Sequence, residues 1–154
     1  MNQQNKEYTF PNRQLLGRLT HSFASDLQAV KSHIAEGADI NAKSSIDGET
    51  IFHRALNLNI EEISDEVIIY LIENYQPELN EHENDGITPL YIAIMENRVE
   101  LVKFMLSKGG DPLIKCESRL TIIDEAWSEK AFNDTENNGI DFTEMVEVLE
   151  NYMN

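Results

Sequence analysis

Residues 85–112 have the sequence DGITPLYIAIMENRVELVKFMLSKGGDP, and this stretch decides the fold. Thr88 is followed directly by Pro89, a pairing that suits the N-cap and the first position of a helix. Apolar residues then recur through 99–106 at the spacing of a second helix. Gly109 can end that helix because glycine enters the left-handed region cheaply. The stretch therefore predicts a turn, two short helices and a glycine terminator.

The same pattern recurs along the chain. The turn and helix start are echoed as DGETIFHRA in residues 47–55, and more weakly in residues 120–126. The second helix and its terminator are echoed in residues 27–41, which contain Gly37, Ala38 and Asp39 in a row. Self-similarity at such a spacing is typical of repeat proteins, in which stacked units bury one continuous core. The chain is therefore predicted to be a stack of helix pairs.

These motifs resemble the ankyrin repeat, whose unit of about 33 residues has a T-P-L-H-x-A turn, two antiparallel helices and a closing G-A-D-x-N segment. Thr88 and Thr121 are 33 residues apart, which is that period. The resemblance covers about residues 15–154. It implies an all-α ankyrin-repeat solenoid of about four helix-turn-helix repeats with degenerate terminal caps. The predicted parts are a polar arm at 1–13 and one domain at 14–154, with repeats at 14–43, 44–81, 82–115 and 116–154.

The chain departs from the repeat pattern at several positions, and these departures mark the features that distinguish it from other repeat proteins. The second repeat has about five extra residues, placed within 59–65, and its terminator at 74–80 lacks glycine. The fourth repeat has Arg119 where the turn glycine belongs. It also has a longer insertion at 129–142 before a second helix at 143–153.

Composition limits the class of partner. Twelve Lys and Arg against 28 Asp and Glu give a net charge of -16, which repels nucleic acids and anionic membranes and favours a cationic partner. The longest apolar run, 67–72, is far shorter than the roughly 20 residues that span a bilayer, and the first residues contain no apolar signal segment. Cys116 is the single cysteine, which fits a reducing compartment. The expected location is cytoplasmic, without nucleic-acid or membrane binding.

No residue pattern predicts catalysis. His53 occupies the histidine position of the resembled turn, where a structural hydrogen bond is expected, and His33 is expected to pack rather than to bind a metal. Residues 133–144 are acidic and contain a glycine, but neither calcium-loop frame supplies the full ligand set, so this stretch is predicted to be a flexible loop. Adjacent carboxylates point in different directions on a helix and indicate a solvated face. We therefore predict no catalytic residues, no metal and no cofactor.

The resemblance implies a protein-binding surface formed by the turns and the first helix of each repeat. Carrying the usual contact positions over by register implies an acidic surface with interspersed aliphatic side chains, suited to a desolvated centre with a charged rim. Alternatively, Ile46 and Leu120 pack between neighbouring turns. The predicted partner-binding residues are Ile46, Asp47, Glu49, Asn57, Glu83, Asn84, Asp85, Ile87, Met95, Glu96, Glu117 and Leu120.

The function predicted from these features is that of a non-catalytic module that binds and neutralises a basic protein such as a toxin. Small acidic ankyrin proteins of this kind resemble the immunity or antidote partners of bacterial toxins. Alternatively, the chain is an adaptor or secreted effector that docks onto a host or cellular protein. In both cases the free protein is expected to be a monomer.

Overall fold

The computed structural model describes residues 27–57, 65–116, 120–136 and 141–153. These residues form seven helices and no strand, apart from an isolated antiparallel bridge between Lys115 and Thr121. The helices are α1 (Leu27–Ala35), α2 (Ile51–Leu56), α3 (Asp65–Tyr75), α4 (Pro89–Met95), α5 (Val99–Ser107), α6 (Ile122–Glu136) and α7 (Thr143–Met153).

The helices from α2 onward stack in two layers. We call α2, α4 and α6 the inner helices and α3, α5 and α7 the outer helices. Each inner helix packs on the next inner helix, and each outer helix packs on the next outer helix. Within the third and fourth repeats, α4 also packs on α5 and α6 on α7. The predicted all-α solenoid is therefore confirmed.

A small residue at one position of each inner helix lets the two layers approach closely. Ala55, Ala93 and Ala126 occupy equivalent positions in three successive repeats, and all three are buried. Large apolar side chains fill the space around them, and Leu90 and Met105 are completely buried. Interiors of this kind are close-packed, so an added group at the alanine position has no room.

Each inner helix begins after a threonine, but the residue that completes the cap differs between repeats. The Thr50 backbone N–H donates to Nδ1 of His53 at 3.1 Å. The Thr88 hydroxyl accepts the backbone N–H of Tyr91 at 3.2 Å. In the fourth repeat Asp124 accepts both the backbone N–H of Thr121 (2.9 Å) and its hydroxyl (2.7 Å), and these bonds lower the pKa of Asp124. The three inner helices thus begin after equivalent threonines, although a different set of hydrogen bonds caps each of them.

The terminators of the outer layer show one departure. Gly37 and Gly109 end their helices with φ of 97° and 99°, in the left-handed region. In the second repeat Gln76 takes this role with φ of 45° and is followed by Pro77. A residue with a Cβ is strained in that region, so the backbone of the second repeat is locally strained at Gln76.

The flexible loop predicted for 133–144 is wrong at both ends, because α6 continues to Glu136 and α7 begins at Thr143. The stretch 128–136 contains neither Gly nor Pro and includes good helix formers, so nothing in it ends the helix. The arm at 1–13, residues 59–64 of the predicted insertion and Arg119 lie outside the described residues.

Candidate interaction surface

Three turns project from the stack at the start of the inner helices, and we call them fingers 1, 2 and 3. They comprise residues 44–49, 83–87 and 115–121, the last described without 117–119. Each finger is closed by a backbone hydrogen bond across its base. These bonds run from Ser44 N–H to Glu49 O (2.9 Å), from Glu83 N–H to Ile87 O (3.0 Å) and from Cys116 N–H to Leu120 O (3.2 Å).

Asn84 joins finger 2 to finger 1. Its backbone N–H donates to the carbonyl of Asp47 at 2.9 Å, and its side-chain amide donates to the carbonyl of Ile46 at 3.3 Å. Gly48 permits this approach, because a Cβ there would lie 2.7 Å from Oδ1 of Asn84. Asn84, predicted as a partner contact, therefore holds the two fingers together.

His53 connects the second repeat to the third beneath the fingers. The residue is fully buried; its Nδ1 accepts the N–H of Thr50, and its Nε2 lies 2.9 Å from the carbonyl oxygen of Ile87. These partners require the neutral tautomer with the proton on Nε2. Burial lowers the pKa of His53, which favours the same neutral form. The structural role predicted for His53 is confirmed.

Arg54 supports finger 1 through two ion pairs that the sequence analysis does not predict. Its Nη2 lies 3.3 Å from Oδ2 of Asp47, and its Nε lies 3.2 Å from Oε2 of Glu49. The guanidinium is largely buried, so it faces these carboxylates rather than solvent. A signal was present, because Arg54 is the single Lys or Arg between residues 44 and 57 and lies about one helical turn past the finger.

The two carboxylates paired with Arg54 have opposite pKa shifts. Burial would raise the pKa of Asp47, but hydrogen bonds from Ser44 and from the Glu49 backbone, together with Arg54, hold it below its ordinary value. Burial raises the pKa of Glu49, and the nearby charges of Asp47 and Glu83 act in the same direction against Arg54. Because both carboxylates lie beside the Arg54 guanidinium, finger 1 presents less unpaired negative charge than its two acids would alone.

Finger 2 uses one acid internally and exposes another. Oε1 of Glu83 accepts the backbone N–H groups of Asp85 and Ile87 at 3.0 and 3.1 Å. Just before the finger, Glu81 is bound by Lys43 at 2.7 Å. Asp85 is exposed, and no ion pair within the described part of the chain involves it. Asp85 is therefore the finger carboxylate most open to an external cation.

The aliphatic members of the predicted set fall into two groups. Ile46 at the tip of finger 1 is 86% exposed, and Leu120 on finger 3 is 43% exposed. The alternative that Ile46 packs between neighbouring turns is therefore wrong. Ile87 and Met95 are half-buried, and Met95 packs against the core.

The remaining predicted residues lie at the ends of inner helices or outside the described chain. Asn57 follows α2 and donates its backbone N–H to the carbonyl of His53 at 3.1 Å. Glu96 follows α4 and is half-buried, and burial raises its pKa. Glu117 lies outside the described residues.

Four basic residues of the described chain are spent on internal ion pairs, three of them between repeats. Besides Arg54, these bases join the first repeat to the end of the second, the third repeat to the second, and the third to the fourth. The pairs are Lys43 with Glu81, Arg98 with Asp65, and Lys103 with Glu144 at 2.9 Å. Because these four bases are paired with acids of the same chain, they leave an unpaired excess of acids.

Neither a metal site nor a membrane span is found where the structure is described. No three His, Cys, Asp or Glu residues there are grouped to hold a metal ion. The calcium frames considered at 133–144 do not match the backbone, because residues 133–136 are helical and Glu144 is bound to Lys103. No helix among the described residues is long and apolar enough to cross a bilayer.

Comparison with known proteins agrees with the stacked helix pairs. A family model described as ankyrin repeats matches residues 21–116 with three copies. The chain is also similar to the nuclear factor NF-kappa-B p105 subunit of Mus musculus, with 31% identity over 101 residues that cover 66% of this chain. The chain spans about a tenth of that protein's length. Ankyrin repeats are in general non-catalytic and bind other proteins. This chain belongs to the ankyrin-repeat family and is a protein–protein interaction module.

Proposed function

We propose that this protein binds a protein with a cationic surface through fingers 1 and 2 and the neighbouring inner helices, and that binding neutralises the partner. The proposal is supported by the net charge of -16 and by a repeat family whose members act by binding. It places the protein in the functional class of immunity or antidote proteins. The same net charge opposes self-association, so we propose that the free protein is a monomer. We also propose that it is cytoplasmic.

The observation that carries the proposal is the arrangement around Asn84. This residue is bonded to the carbonyl of Ile46 and precedes Asp85 directly. An exposed aliphatic side chain and an exposed carboxylate therefore flank one rigid link. Such a pair suits a partner with an apolar contact ringed by Lys or Arg, because the carboxylate steers the encounter and the aliphatic group is desolvated in the complex.

The test is to capture the partner from the native cell lysate with the full chain and to identify it by mass spectrometry. The captured protein should be basic, and its binding should weaken steeply as salt rises from low to physiological strength. Its own activity should then fall in proportion to complex formation. A partner that binds tightly but stays fully active would instead support the adaptor function, and a partner without a cationic surface would contradict the proposal.

A further inference from the structure

A groove lies where the outer helices α3 and α5 end side by side, away from the residues considered for the fingers. It consists of two cavities of about 400 and 420 Å³. Both are lined by Pro77, Leu79 and Lys108, so they lie side by side, and we call the two together the groove. Each volume falls within the range of about 300–1,000 Å³ that is usual for ligand pockets. The groove is therefore large enough to receive a side chain of another protein.

The second repeat departs from the family pattern at residues that line the groove. Gln76 replaces the terminator glycine and keeps a left-handed φ of 45°, and Pro77 then directs the chain along the cavity. Strained backbone positions of this type concentrate at functional sites. The surrounding backbone is fixed by hydrogen bonds, from Glu78 N–H to Oδ1 of Asn41 and from the Asn80 amide to the carbonyl of Gly109, both at 3.0 Å.

The lining combines an apolar floor with an acidic rim. Leu79 is buried beneath Pro77, whereas Glu73 and Glu78 are exposed at the edge. No ion pair among the described residues involves Glu73 or Glu78, although the Glu78 side chain shares a hydrogen bond with Glu81. The C-terminal ends of α3 and α5 add the negative ends of two helix dipoles. The single base that lines the groove, Lys108, places its ammonium 5.2 Å from the centre of the Phe104 ring.

We propose that this groove holds an arginine side chain of the cationic partner, an inference that rests on the proposed function. The methylene stem packs on Pro77 and Leu79, and the guanidinium lies between the carboxylates of Glu73 and Glu78. Arginine suits the groove better than lysine because its planar head has five donors, pairs with carboxylates in a fixed geometry and is more weakly hydrated. The groove thus provides a second contact beyond the fingers.

The test uses N-acetyl-arginine amide as a probe, so it needs no partner protein. Amide NMR shifts of the full chain are followed during titration, and the largest changes are expected at residues 76–79 and 108–110. The double variant Glu73→Gln, Glu78→Gln should bind the probe about threefold or more weakly. The matched control is Glu66→Gln, Glu147→Gln, which removes two exposed outer-helix charges elsewhere and should leave the affinity unchanged.

Two results would overturn the groove proposal: shift changes spread over all acidic surfaces, or equal affinity for the corresponding lysine amide. Failure of the proposed function is distinguishable from both. If the probe binds at residues 76–79 while no basic partner is captured from the lysate, the groove stands as an arginine site and the partner proposal fails.

Discussion

The Nε2 atom of His53 lies 2.9 Å from the carbonyl oxygen of Ile87, which joins the start of one inner helix to the finger of the following repeat. Because Nδ1 accepts the N–H of Thr50, the ring has no acceptor left for a second proton. Charging this imidazole would break one of the two bonds, so the joint between these repeats depends on a neutral histidine.

This dependence predicts how stability changes with pH. The pKa of His53 is lowered from 6.5 by burial, so below about pH 6.5 the unfolded chain binds a proton that the folded chain resists. The stabilisation is complete above pH 6.5 and is lost as pH falls through the lowered pKa. Urea unfolding measures how far the free energy of unfolding falls between pH 7.5 and pH 5. This fall should be smaller for His53→Gln than for the unaltered chain. Identical losses would contradict the role assigned to His53.

The strained terminator predicts a stabilising substitution. Gln76→Gly should raise the free energy of unfolding by about 0.5–1 kcal/mol, because the left-handed strain exceeds the entropic cost of glycine. The reverse change, Gly109→Gln, should lower it by about 1 kcal/mol or more, since a Cβ there has nothing within 4 Å and meets only backbone strain. Chemical denaturation measures both. A loss of stability in Gln76→Gly would show that its side chain makes a compensating contact.

The alanine between the helix layers predicts a large destabilisation. Ala93→Asp places an unpaired charge at a fully buried position and should cost at least about 3 kcal/mol. Ala131 on α6 is exposed, so Ala131→Asp is the matched control and should cost only about 0.5 kcal/mol from helix propensity. Thermal unfolding followed by circular dichroism distinguishes the two. Equal melting temperatures for both variants would be inconsistent with the packing described.

Reversing the charge of Asp85 on finger 2 is expected to change the rate at which the partner associates. Asp85→Lys should slow association several-fold at low salt and flatten its salt dependence, because exposed charges act mainly on the encounter. Reversing Asp47 or Glu49 would be a poorer test, since both lie beside Arg54 and the change would disturb the fold of finger 1. Glu147→Lys on α7 is the control of equal charge. If both variants slow association equally, total charge rather than finger 2 steers the partner.

Shortening the exposed Ile46 side chain of finger 1 is expected to reduce the lifetime of the complex. Ile46→Ala should speed dissociation with little change in association, because an exposed aliphatic side chain contributes after water is expelled. Surface plasmon resonance with the captured partner measures both rates. An unchanged dissociation rate would place the apolar contact elsewhere, with Leu120 the next residue to truncate.

The repeat architecture could be predicted from the sequence because its determinants are local. Threonine caps, the small Ala93 and the terminator Gly109 act on neighbours within a few residues, and their spacing shows the stack. Arg54 illustrates what could not be predicted, since pairing with two carboxylates depends on the angle between finger 1 and α2. The family period shows only that 129–142 is an insertion, whereas the extension of α6 to Glu136 follows from helix propensity. The arginine groove depends on how two helix ends align, which no local pattern contains.

The bonds from Asn84 to Ile46 and Asp47 have a consequence for the thermodynamics of recognition. Fingers 1 and 2 cannot move independently, so the ordering of these loops is already complete in the unbound protein. A partner therefore meets a preorganised surface and loses little of its binding free energy to freezing loop motion. Association with this edge should accordingly resemble rigid docking, with backbone shifts of about 1 Å or less.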